Sequence, residues 1–306
     1  MTDATSPTIP PAGVETVCRH SPGYPPALEE GPGAPRTLYV VGGRERLARL
    51  TAGPVVTIVG SERPTDYGME MARGLARGLA VSGVTVVSGF ANGIAAAAHA
   101  GALETDGPTV TAMAGGVDVV QPAGRRELYE RLIANGCAIA EAPCGMAQRR
   151  WDAITRARTI AALAAVTIVV EADDTPSELR VAHIARALGR TIAAIPGRVT
   201  SPASRGTNAL LAEGATLVRG AADALDLLYG VSAWRLDTPS LPTQLRPTLR
   251  ATLERVGAGE DTPGKLARAG DDPGETLLAL AELELMGLLG RGDGGRYVPR
   301  QGLFGE

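Results

Sequence analysis

Between residues 55 and 220 the chain repeats one pattern, a short β-branched apolar run followed by an amphipathic stretch, and few folds accommodate it. The runs are VVTIVG (55–60), VTVVSG (84–89), TVTAMAG (109–115), CAIAEA (137–142), VTIVVEA (166–172), TIAAIPG (191–197) and TLVRG (216–220). They read as strands buried on both faces. Helical spacing of apolar residues marks the segments 67–83, 124–136 and 177–190 between them. This alternation predicts an α/β fold, a doubly wound and mostly parallel sheet with helices on both sides. Ligands of such sheets bind beyond the carboxyl ends of the strands, so function is sought in the turns that follow them.

The flanks divide the chain. Residues 1–35 are rich in proline and glycine and are expected to be irregular, with at most a turn and a short helix in SPGYPPALEE. The sheet domain is placed at 36–230. Residues 231–247 carry three prolines without strand periodicity and read as a linker. Beyond it, helices are expected from about Thr248, from Thr262-Pro263 and from Asp272-Pro273, since Thr and Asp cap helices and Pro favours the first helical position. A hairpin around Asp293-Gly294-Gly295 follows. Three helices and a hairpin over 248–300 suggest a small winged-helix domain.

Composition excludes several functions. No apolar run approaches the roughly 18 residues of a membrane-spanning helix, and MTDATSPTIPPAG lacks the basic start and apolar stretch of a signal peptide. Cys18, Cys137 and Cys144 have no metal-ligand spacing and fit a reduced cytoplasm. With a formal net charge of -3, any nucleic-acid contact must come from a local patch. No GxGxxG and no Walker lysine motif is present, so neither a nicotinamide nor a P-loop nucleotide is expected, and no cofactor or metal is called for.

Glycine accompanied by serine or asparagine recurs at the strand ends: Gly60-Ser61, Ser88-Gly89 with Asn92, Gly197, and Ser204, Gly206 and Asn208 at the start of a helical stretch. Such turns either cradle an anion with backbone amides or merely turn the chain. The densest cationic segment is QRRWDAITRARTIAALA, where Arg149, Arg150, Arg156 and Arg158 flank Trp151. Arginines that track phosphates beside a ring that stacks on a base suit single-stranded nucleic acid, and a solvated helix face explains them equally. His99, on an alanine-rich segment, reads as a packed core histidine; Glu171, at a strand end, reads as a ribose ligand, a base or a cap. No catalytic constellation can be assigned from spacing. The last helix carries Glu275, Glu282 and Glu284 and no cation, which would repel phosphate and favours contact with protein.

In order along the chain, YPPAL, TLYVVG, IVGS with PTDYG, SGFANGIAAAAHAGAL, Arg156-x-Arg158, VVEA, IPG and S-x-GTN-x-LL-x-EGA at 204–215 resemble the DprA/Smf family of bacterial DNA-processing proteins. The resemblance spans about Tyr24 to Pro299. It implies an extended Rossmann-like domain, a homodimer, binding of single-stranded DNA, loading of a RecA-type recombinase in recombination and natural transformation, and no enzymatic activity. Gly60, Ser61, Arg63, Ser88, Gly89, Asn92, Gly197, Ser204, Gly206 and Asn208 would shape the pocket, Arg150, Arg156 and Arg158 would hold the backbone, and Trp151 would stack on a base. Departures from the family pattern fall in this pocket: Glu62 stands where Arg is usual after Gly-Ser, Asn92 and Ala95 replace an Arg and an Asp, and PSELRVA (176–182) replaces SGSL-x-TA and introduces Glu178. They leave open a pocket retuned to a nucleotide-type small molecule that is bound or hydrolysed, with Glu62, Glu171 or Glu178 on a ribose or as base. They also leave open an adaptor with a vestigial pocket.

Overall fold

The computed structural model describes residues 11–230, apart from 32, 122 and 150, and residues 245–299, apart from 268–271, 287 and 293–295. Its N-terminal strands and helices are β1 (Val14–Cys18), α1 (Pro26–Glu29), β2 (Thr37–Val41), α2 (Arg44–Ala52), β3 (Val55–Val59), α3 (Asp66–Val81), β4 (Thr85–Gly89), α4 (Ile94–Leu103) and β5 (Thr109–Ala112). There follow α5 (Arg126–Asn135), β6 (Cys137–Ala140), α6 (Asp152–Leu163), β7 (Val166–Val169), α7 (Arg180–Ala187), β8 (Thr191–Ala194), α8 (Arg205–Ala212), β9 (Thr216–Leu217) and α9 (Ala221–Tyr229). Last come α10 (Pro247–Gly257), α11 (Pro263–Ala267), α12 (Pro273–Leu285), β10 (Leu289–Arg291) and β11 (Tyr297–Pro299).

Among the described residues, nine strands form one sheet in the order β1-β2-β6-β5-β4-β3-β7-β8-β9. From β6 to β9 all neighbours are parallel. The chain starts its parallel part at β3, moves outward through β4, β5 and β6, then returns to the other side of β3 with β7, so the strand order reverses between β3 and β7. Every residue of β3 is buried, as the apolar run VVTIV requires. Alternate side chains serve opposite layers: Val55 and Val59 pack with Leu28, Ile160 and Leu163, while Val56 and Ile58 pack with Leu75, Leu79 and Ile94.

The N-terminal stretch contains the short helix expected in SPGYPPALEE, α1, but its first part, expected to be irregular, supplies β1, antiparallel to β2. β2 is itself antiparallel to β6, so the sheet is mixed at this edge. α3 starts where Thr65 accepts from the Gly68 amide, and its glycine-containing body lies against α4. Gly101 of α4 allows this approach, because a methyl group there would run into the Arg73 carbonyl. Gly101→Ala is therefore expected to cost about 1–3 kcal/mol through overpacking, read as a lowered urea midpoint with an unchanged far-ultraviolet spectrum.

The C-terminal unit has its own apolar core, with Leu249, Leu253, Val256, Leu266, Leu280, Leu283 and Leu289. Asp272 caps α12 by accepting from the Gly274 amide, and β10 and β11 pair antiparallel. The turn expected around Asp293-Gly294-Gly295 lies outside the described residues, as does most of the expected linker. This unit is held to α3 through charge. Arg77 Nη1 donates to Asp261 Oδ2 at 2.7 Å, and both side chains are only 2 % exposed. Lys265 Nζ lies 3.2 Å from Asp261 Oδ1 and 2.7 Å from Glu70, and Arg296 Nη1 lies 3.3 Å from Asp261 Oδ2. Glu104 approaches Arg77 at 3.6 Å and pairs with Arg73.

Candidate nucleic-acid interface

The turns after β3, β4, β7 and β8 meet at one end of the sheet, but most of the polar groups expected to face a ligand there are spent on the fold. Ser88 is buried and its hydroxyl donates to the Ile58 carbonyl at 2.6 Å. Asn208 clamps Gly197 from both sides, accepting its amide and donating to its carbonyl at 3.2 Å each. Ser204 is buried and packs so closely on Gly197 that no β-carbon fits there. The Gly206 amide donates to the Ala172 carbonyl at 2.9 Å, and a β-carbon on Gly206 would strike the Asp173 carbonyl. Gly197, Ser204 and Asn208 thus fasten the turn after β8 to the start of α8, and Gly206 fastens that start to the turn after β7.

The helix start after β3 has its anion already. Glu171, 2 % exposed at the end of β7, accepts from the Thr65 amide at 2.8 Å and from the Thr65 hydroxyl at 2.7 Å. A carboxylate on the positive end of α3 satisfies the free amides of its first turn. Of the roles open to Glu171, the structure gives it the cap. The Ser61 amide donates to the Glu171 carbonyl at 2.6 Å, and the Ser61 hydroxyl donates to Glu178 Oε1 at 3.0 Å. The Arg63 amide donates to Ser61 Oγ at 3.1 Å, and the Arg63 side chain is exposed.

The two arginines of α6 do not work as a pair. Residues two apart on a helix are turned by about 200°, so Arg156 and Arg158 leave it on opposite sides. Arg158 Nη2 donates to Glu141 at 2.8 Å, beside Thr159, which bonds the same carboxylate, and packs toward Gly33. Arg156 instead lies over Gly89, where its guanidinium would stand 3.4 Å from a β-carbon. Burial pushes the Arg156 pKa below the ordinary guanidinium value; Glu62 nearby opposes that shift and Arg180 adds to it. Among the described residues Arg156 has no hydrogen-bond or ion-pair partner. A half-buried guanidinium with a carboxylate nearby but no bonded partner leaves its donors for a ligand.

Arg156 also lines a cavity of about 280 Å³ beyond β5 and β6, with Met113, Glu141, Pro143, Met146 and Arg149 among its walls. Trp151, at the first turn of α6, is 73 % exposed. Asn92 sits on the surface and accepts from Arg125 at 3.1 Å. Arg150 lies outside the described residues. The sequence reading missed Arg180, whose signal is its position in the first turn of the helix after β7. His99 is fully buried, with Nδ1 2.8 Å from Thr109 Oγ1, and is a core residue. In the C-terminal unit, α12 turns Leu277, Leu278 and Leu285 to solvent beside exposed Glu275, while Glu282 and Glu284 pair with Arg246 and Arg291. Among the described residues no helix is long and apolar enough to cross a membrane.

These features define a class: an extended Rossmann-like protein whose strand ends hold a half-buried arginine without a bonded partner among the described residues, on a helix that begins at an exposed tryptophan. Within that class, the sequence profile of DNA recombination-mediator protein A matches residues 15–229, and the chain belongs to this DprA/Smf family of DNA-processing proteins. It is 38 % identical over 265 residues to a putative DNA processing protein DprA of Mycobacterium tuberculosis, covering 83 % of this chain and 67 % of that one. Its identity to the protein Smf of Synechocystis is 30 % over 315 residues, covering 91 % and 78 %. Among solved structures, DprA of Streptococcus pneumoniae superposes with a TM-score of 0.66 at 29 % identity, covering 71 % of this chain and 75 % of that one. DprA of Helicobacter pylori, described for its single-stranded DNA binding mode, gives 0.63 at 27 % identity, covering 70 % and 95 %.

Proposed function

We propose that this chain binds single-stranded DNA across the strand ends of its sheet, without catalysing a reaction, and delivers it to a RecA-type recombinase in the cytoplasm. One observation carries the reading: the Arg156 guanidinium is half-buried, has no hydrogen-bond or ion-pair partner among the described residues and lines a cavity at the ligand-facing end of the sheet. A phosphate supplies the bonded anion that Glu62, nearby but unbonded, does not; Arg63, Arg149 and Arg180 extend the positive surface, and Trp151 offers a ring to a base. Family membership and the single-stranded DNA binding mode described for the H. pylori relative support the ligand, and the family resemblance supports the recombinase and a homodimer.

The test is fluorescence anisotropy of a labelled oligothymidine at several salt concentrations. Arg156→Ala is expected to weaken binding by roughly 10- to 100-fold, the loss of one charge-assisted contact of about 1.5–3 kcal/mol, and to flatten the salt slope by about 0.7. Arg158→Ala, which breaks the pair with Glu141, is expected to leave affinity within about threefold and to lower stability by about 1 kcal/mol or less, as for a partly exposed ion pair. Equal loss in both variants, or salt-independent binding, would overturn the reading.

A second reading concerns the C-terminal unit. Read as a winged helix, it places α12 in the recognition position, and the leucines and Glu275 of α12 suit a protein partner, since a phosphate backbone would be repelled.

A further inference from the structure

Where strand order reverses, between β3 and β7, a doubly wound sheet opens a crevice that ordinarily receives its ligand. In this chain a side chain already lies there. Glu178 Oε1 accepts from the Ser61 hydroxyl at 3.0 Å and Oε2 accepts from the Asp173 amide at 2.7 Å, so the two donors come from the turns on both walls of the crevice. Arg180 stands close enough to Arg156 to oppose its charge, and Arg180 has no hydrogen-bond or ion-pair partner among the described residues. The hydroxyl and backbone amide that bind the Glu178 carboxylate are donors that a phosphate group also uses. Glu171 differs, because both its oxygens are taken by Thr65 and removing it would uncap α3. Glu178 caps no helix: α7 begins two residues later with Leu179 at its N-cap position and no side-chain cap.

We infer that Glu178 is an internal occupant of this crevice, a specificity-determining residue that keeps phosphate from the Gly60-Ser61 turn and confines anion binding to the Arg156 side. Its effect on DNA rests on the single-stranded DNA reading above, whereas its effect on a free phosphate does not. With Glu178 in place, a phosphate at Ser61 would meet a carboxylate instead of a donor, and Glu62 adds a second negative charge at the same turn. Removal of Glu178 frees the Ser61 hydroxyl and the Asp173 amide and takes one negative charge from this end of the sheet, leaving Glu62 as the anion near Arg156.

The experiment compares wild type, Glu178→Ser and Glu178→Gln in two assays, thermal melting with inorganic pyrophosphate and anisotropy with oligothymidine. Glu178→Ser is expected to gain a pyrophosphate-dependent rise in Tm that wild type lacks, and to bind the oligonucleotide about tenfold more tightly with a steeper salt slope. Glu178→Gln, which keeps an acceptor for Ser61 and loses only the charge, is expected to show a smaller gain in the same direction, and decides the matter if the serine variant does not fold. A pyrophosphate response equal in all three proteins, or absent from both variants, overturns the inference. If the variants gain the pyrophosphate response and no protein binds the oligonucleotide, the inference stands and the DNA reading falls. If all three bind the oligonucleotide alike and none responds to pyrophosphate, the DNA reading stands and the inference falls.

Discussion

Arg77→Ala is expected to lower stability by about 3–5 kcal/mol, the usual cost of removing one partner of a buried ion pair. Arg77 and Asp261 are both 2 % exposed and 2.7 Å apart, and Arg77 also faces Glu104 at 3.6 Å. Without the guanidinium, Asp261 keeps Lys265 and Arg296, but Glu104 keeps only Arg73, and a cavity opens between α3 and the loop after α10. Arg77→Met combined with Asp261→Leu is expected to recover most of the loss, because a buried pair replaced by apolar groups of similar size is often neutral. A double-mutant cycle in urea, followed by limited proteolysis of the 245–299 unit, checks this; additive losses would show that the pair is not coupled. The contribution also depends on pH. Burial pushes the Asp261 carboxyl up, yet the hydrogen bond and charge of Arg77, with Lys265, more than offset this and hold it below the ordinary value. A depressed carboxyl stabilises the fold above its unfolded pKa and loses that contribution as pH falls through the native one. The gap between wild type and Arg77→Ala is therefore expected to narrow in acid.

The second large effect is also an acid one, and comes from His99. Its side chain is fully buried; burial pushes its pKa from 6.5 down to about 4, against an opposing pull from the Gly89 backbone. Its Nε2 has no hydrogen-bond partner among the described residues. Between pH 6.5 and 4 the unfolded chain holds a proton that the native chain does not, so stability rises with pH across this window. It is complete above about 6.5 and falls by about 3 kcal/mol by pH 4, at about 1.36 kcal/mol per pH step. His99→Gln is expected to flatten this part of the pH profile while lowering stability at pH 7 by roughly 1 kcal/mol for the altered contact with Thr109. Parallel profiles of the two proteins in urea titrations would refute it.

The inner parallel strands, β3 to β7, were legible because strands covered by helices on both faces contain almost nothing polar, and VVTIV or VTIV has no other use; the run TLVRG, expected to be buried on both faces, gives only the two-residue edge strand β9, which is exposed. β1 and β2 escaped for the opposite reason. They form an antiparallel edge that is half exposed, so β1 keeps Glu15 and Thr16 at the surface and lies in a stretch whose prolines and glycines suggest a loop. For the candidate site, the Gly-Ser turns were legible and gather at one end of the sheet, but composition could not reveal which hydroxyls face outward. Ser61 lies in the turn after β3 and bonds Glu178, whereas Ser88 lies within β4 and bonds across the sheet to Ile58. The divergence of Arg156 from Arg158 was present in the sequence as helical phase. The bond between Ser61 and Glu178 was not, since it joins residues 117 positions apart.

The sixteen residues of α3 have a reach of about 24 Å. Its first turn is pinned by Thr65 and Glu171 at the crevice, and its fourth bears Arg77, the anchor of the C-terminal unit. One helix thus carries both the cap at the crevice and the anchor of the C-terminal unit, so a ligand that shifted α3 would act on that anchor, with a coupling free energy equal in both directions.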